Sequence, residues 1–141
     1  KMITRFKQQV DIPYSLHDMI VNQIILKNDT VYLRFEHGYI RAKEPYPQVN
    51  GSITIEEIDQ DSACILLLSD LGRYGDFRGK KMSLEDFLDQ YNEYSFEIVD
   101  EMYGFNQVEY IGYLRLPDKE ESIQMSLSMY FTGNIVYETE E

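Results

Sequence analysis

Apolar and polar residues alternate with period two along most of this chain, the spacing of a β-strand with one buried face. Val31, Leu33 and Phe35 alternate with Tyr32, Arg34 and Glu36 across residues 30–36. Residues 20–27 are rich in β-branched side chains, and Asn28-Asp29 between the two runs reads as a turn, so a hairpin is predicted. Gly38 ends the second strand, and residues 39–41 start a short third one. Ile53 and Ile55 alternate with Thr54 and Glu56 in 52–58, followed by turn residues at 59–62. Residues 63–68 form a near-continuous apolar run, which predicts a central strand covered on both faces.

The period then changes once. Leu84, Phe87, Leu88 and Tyr91 fall on one helical stripe, Ser83 suits the N-cap, and Glu85 and Asp86 occupy the first turn, where the helix dipole favours negative charge. These residues predict one helix near 83–92 that packs its stripe on the sheet. A meander follows. Phe96, Ile98 and Met102 share a face, although Asp100 interrupts it, and Gly104-Phe105-Asn106 makes a turn. Val108, Tyr110, Leu114 and Leu116 line the next strand with Gly112 among them, the mark of a bulge or of a bulky neighbour above it. Beyond the polar turn at 117–121, Ile123, Met125, Leu127, Met129 and Phe131 alternate with Gln124, Ser126, Ser128 and Tyr130. Thr132-Gly133-Asn134 turns into a last strand over 135–138.

About eight or nine strands and one helix, joined by short turns, predict a mainly-β or α+β domain with antiparallel pairing. A sheet curled around its helix and a two-layer sandwich both satisfy the pattern. The 141 residues match a single domain over 1–141, large enough to fold without a metal or a disulfide. Segments 42–51, with Pro45 and Pro47, and 70–81, rich in glycine, read as loops inside it.

Charge narrows the range of partners. The formal net charge is −12. Residues 1–81 hold 11 basic and 11 acidic side chains, whereas residues 82–141 hold 14 acidic ones against Arg115 and Lys119. Such a field repels nucleic-acid phosphates and anionic membranes and speeds encounter with a basic protein; it also keeps a β-rich chain soluble. The single cysteine, Cys64, excludes an intramolecular disulfide, and its apolar neighbours predict a core thiol. The run at 63–68 is too short to span a bilayer, and residues 1–11 lack the apolar stretch of a signal peptide. A cytoplasmic location is expected, with Met2 as the natural start and Lys1 as an addition.

Candidate chemistry is sparse. The segment Arg73, Tyr74, Phe77, Arg78, Lys80 and Lys81 interleaves cations and aromatic rings with glycines, a composition suited to phosphate or to a stacked base, yet it lacks the P-loop spacing. His17-Asp18 is a metal-ligand pair in type, but His37 is the only other histidine, and a catalytic zinc site draws on three protein ligands. Asp18 is expected instead to fix the start of the first strand by accepting a hydrogen bond. Adjacent carboxylates such as Glu56-Glu57 and Glu120-Glu121 point to opposite faces of a strand and do not converge as an acid–base dyad. No nucleophile elbow or dinucleotide fingerprint occurs, and no cofactor is called for. Twelve tyrosines with no tryptophan suit either a protein interface or the wet face of a sheet.

Leu16-His17-Asp18, the apolar run at 20–27, Asn28-Asp29 and the alternation at 31–36 resemble the opening of small bacterial β-domains, some of which are immunity proteins that neutralise a toxin. The resemblance covers residues 14–40 and implies a binding role without catalytic residues. It agrees with the acidic C-terminal part, because an inhibitor of a basic toxin gains from such a field. The expected function is therefore non-enzymatic binding of a basic protein through Glu97, Glu101, Glu109, Tyr103 and Tyr113. The alternative is small-molecule or phosphate-ligand binding through the 70–81 loop. A homo-oligomer is compatible with either.

Overall fold

The alternating segments become strands that pair antiparallel throughout. A computed structural model describes residues 1–68 and 79–140. In chain order the elements are β1 (Tyr14–Ser15), β2 (Met19–Lys27), β3 (Thr30–Phe35), β4 (Tyr39–Arg41), β5 (Gln48–Val49), β6 (Gly51–Ile55), β7 (Cys64–Leu68), β8 (Gly79–Ser83), α1 (Leu84–Gln90), β9 (Ser95–Gly104), β10 (Gln107–Arg115), β11 (Ile123–Tyr130) and β12 (Ile135–Thr139). Nine strands form one sheet in the order β12-β6-β3-β2-β9-β10-β11-β7-β8, and β1-β4-β5 form a small second sheet. The fold is thus mainly β with one helix. The extra strands are the two-residue β1 and β5 and the edge strand β8, which takes Lys80 and Lys81 out of the expected loop.

The nine-stranded sheet curls. β11 and β12 are the seventh and first strands of the order, yet only residues 131–134 join them. Six strand spacings in a flat sheet amount to about 29 Å, whereas the link reaches about 18 Å at most. The ends of β11 and β12 therefore approach each other, and the Ile58–Phe131 bridge lies where they meet. Of the two expected architectures, the curled sheet is the one observed. Its inner face buries one core that includes Val21, Leu33, Ile53, Ile65, Phe96, Ile98, Leu114 and Leu127.

The helix forms as expected. Ser83 Oγ accepts the Asp86 N–H at 3.0 Å, and Leu84 and Phe87 are buried. The Phe87 ring packs tilted against Tyr91 and edge-on against Tyr94, at 4.9 and 5.4 Å between centroids. β2 pairs with β9 only over Met19 to Val21. At Ile24 the Tyr94 hydroxyl accepts the backbone N–H at 2.8 Å in place of a neighbouring strand.

Two expectations are corrected. Residues 63–68 do not form a central strand: β7 is second from the edge, and its residues alternate between buried and half-buried. Ile65 and Leu67 enter the core while Cys64 takes the other face, half-buried, with its thiol 3.3 Å from Ser128 Oγ. An apolar run is the same string whether a strand is covered on one face or two. The second correction concerns β9. Its pairing with β10 slips so that Ile111 faces Asp100 and Gly112 faces Ile98, leaving Val99 as the extra residue of a bulge. The bulge inverts the alternation. Phe96 and Ile98 point inward before it, Glu101 and Tyr103 after it, and Met102 is turned out to solvent.

Candidate functional site

Gly112 lets the bulge form. A Cβ at that position would collide with the Glu97 carbonyl oxygen, so only glycine admits the β9 backbone there. The sheet then divides the sequence-predicted residues between two faces. Glu97, Glu109 and Tyr113 lie on the outer face, where Tyr113 pairs with Glu97 across β9 and with Gln124 across β11. Asp100 and Met102 join them from beyond the bulge, Met102 directly opposite Glu109. Glu101 and Tyr103 face inward.

The inward pair makes a closed polar cluster. Glu101 Oε2 accepts the Leu16 N–H at 2.6 Å, and Glu101 Oε1 accepts the Tyr103 hydroxyl at 2.6 Å. Tyr110, cross-strand from Glu101, is fully buried, and its hydroxyl lies by that of Tyr103 without forming a well-aligned hydrogen bond among the described residues. Burial raises the pKa of Tyr103, Tyr110 and Tyr137, and neighbouring negative charge at Glu101 adds to it, so all three hydroxyls stay protonated. Tyr39 is likewise part of the core. Its single hydroxyl proton is shared between the Ser52 and Glu138 carbonyls, at 2.7 and 3.0 Å from the oxygen, and its ring packs between Tyr14, Phe35 and Tyr137. Glu101 and Tyr103 are thus half-buried, with their side-chain polar groups engaged within the chain.

Leu16-His17-Asp18 clamps the bulge from the other side. The Asp18 N–H donates to the Ile98 carbonyl at 2.7 Å, and His17 Nδ1 lies 2.6 Å from the Val99 carbonyl. The group that fixes the strand start is thus the Asp18 backbone N–H, whereas its carboxylate meets His17 Nε2 at 3.3 Å. Asp18 adopts φ 65°, a conformation that aspartate tolerates better than most residues. Among the described residues, no three His, Cys, Asp or Glu side chains come together as a metal site.

The outer face carries exposed apolar side chains among acids. Met102 is 48% exposed, Tyr113 41%, Tyr130 50%, and Phe105, in the β9–β10 turn, 91%. Glu97 pairs with Arg115 at 3.5 Å. The remaining acidic excess is spread over α1, the 116–122 turn and β12 rather than gathered on one face. Composition revealed the excess, but only the bulge decides which acids reach this surface; Phe105 was legible merely as a turn residue.

Lys80 and Lys81, both exposed, succeed each other on β8 opposite Leu67 and Leu66, so they point to opposite faces. Arg73, Tyr74, Phe77 and Arg78 lie outside the described residues. An open groove of about 530 Å³ beside β3, β6 and β12 is lined by Arg34, Glu36, Ser52 and Glu138, and holds none of the expected site residues. Comparison with family models, curated proteins and solved structures returned no match. No helix among the described residues is long and apolar enough to cross a membrane.

Proposed function

We propose that the chain is a non-enzymatic binding module that holds a basic protein on the outer face of β9, β10 and β11. The observation that carries this reading is the combination, on one sheet face, of Glu97, Asp100 and Glu109 with exposed Met102, Tyr113 and Tyr130 and the Phe105 tip. Exposed aromatic and methionine side chains supply the desolvated centre of an interface, and carboxylates around them steer a cationic partner. In its narrower form the partner is a basic toxin and the chain its immunity-type inhibitor, a form supported by the resemblance of residues 14–40.

Capture from lysate of the source cells tests it, with the tagged chain as bait at low and then raised salt. A stoichiometric basic protein retained at low salt and released by raised salt is expected. A retained partner that is acidic, or one indifferent to salt, would count against the acidic face as the contact.

A further inference from the structure

Residues 1–12 have no regular structure, and their large apolar side chains stand in solvent: Met2 is 89% exposed, Ile3 59%, Phe6 86% and Val10 48%. Gln8 Nε2 donates to the Tyr103 carbonyl at 3.4 Å and ties this arm to the body beside the β9–β10 turn. The arm is also the basic counterpart of the body. It holds Lys1, Arg5 and Lys7 against Asp11 alone, in a chain of net charge −12. Met2, Phe6 and Val10 recur every fourth residue, which puts them on one helical stripe with Arg5 on one flank and Lys7 on the other. A segment this short does not hold a helix alone in water, and a helix here would need a surface to pack on.

Resting on the reading of the outer face as a docking surface, we propose that, before a basic partner binds, the face is occupied by this arm from a second copy of the chain, two copies exchanging arms reciprocally. The arm's apolar stripe meets Met102, Phe105, Tyr113 and Tyr130, while Arg5 and Lys7 reach Asp100 and Glu109. Charge complementarity favours this occupant over an anionic membrane, which the body would repel.

Sedimentation of the full chain over a wide concentration range, at low and raised salt, tests the proposal. A dimer is expected at low salt and a monomer at raised salt. Phe6→Ser should weaken the dimer at least about tenfold through loss of a buried ring at each contact. A chain carrying Arg5→Glu and Lys7→Glu should stay monomeric, as should one carrying Asp100→Lys and Glu109→Lys, and mixing the two should restore a heterodimer. A wild-type chain that stays monomeric, a dimer indifferent to Phe6→Ser, or binding of anionic vesicles without self-association would each overturn it. Phe6→Ser leaves the outer face intact, so capture of a basic partner by this variant separates failure of the arm from failure of the docking face.

Discussion

The His17 imidazole donates from Nδ1 to the carbonyl oxygen of Val99 at 2.6 Å, fastening the loop before β2 to the residue that β9 bulges out. A carbonyl only accepts, so the proton on Nδ1 is fixed by the geometry. With the Leu16 and Asp18 N–H groups bound to Glu101 and Ile98, three successive residues grip one bulge.

That grip carries a pH dependence. The bond to Val99 raises the His17 pKa above the ordinary 6.5, helped by Asp18 and, more distantly, by Asp100 and Glu101, with partial opposition from desolvation. A raised folded-state pKa means that protonation favours the fold. The contribution is fully present below about pH 6.5 and is lost as pH rises through the folded value. Urea midpoints across this window should fall with rising pH in the wild type and flatten in His17→Ala. An identical slope in both would contradict the account.

Glu101 should behave as a structural residue. Glu101→Ala leaves the Leu16 N–H and the Tyr103 hydroxyl without their acceptor and should cost about 2–3 kcal/mol in equilibrium unfolding. Glu101→Gln keeps one acceptor and should cost less. If neither variant moved the unfolding midpoint while partner binding fell, Glu101 would be a contact residue after all.

Two buried tyrosines should respond oppositely to loss of the hydroxyl. Tyr39→Phe removes the proton shared between the Ser52 and Glu138 carbonyls and should destabilise by about 1 kcal/mol. Tyr110→Phe removes a buried hydroxyl that forms no well-aligned hydrogen bond among the described residues and should be neutral or stabilising. Thermal unfolding of the two variants side by side checks the contrast.

Gly112→Ala should destabilise by at least about 2 kcal/mol, because the new methyl group meets backbone rather than a movable side chain. Gly104→Ala, where a Cβ finds only ordinary contacts with Gln107, is the control and should change little in the same measurement.

The sequence made the fold legible wherever one face is buried and the other wet. Val31 to Phe35 and Ile123 to Met129 alternate without interruption, and both strands stand as expected. Ser83 and the stripe of Leu84 and Phe87 likewise announced the helix and its cap. The candidate site was less legible because its faces depend on one inserted residue. Asp100 looked like an interruption in an inward-facing row, but Val99 is the extra residue, and every side chain after it changes sides. Gly112 was the available clue, since it marked the same point on the neighbouring strand. The alternation left a curled sheet and a two-layer sandwich both open, because the choice depends on which strands β12 and β11 neighbour rather than on any local pattern.

The most direct test of the docking face is the association rate with the captured basic partner, measured against ionic strength. The wild type is compared with a chain carrying Glu97→Lys, Asp100→Lys and Glu109→Lys. The wild-type rate should fall steeply with salt, and the variant rate should be at least about tenfold lower at low salt with a flatter dependence. Equal rates and equal salt slopes in the two proteins would contradict this and would move the contact away from β9 and β10.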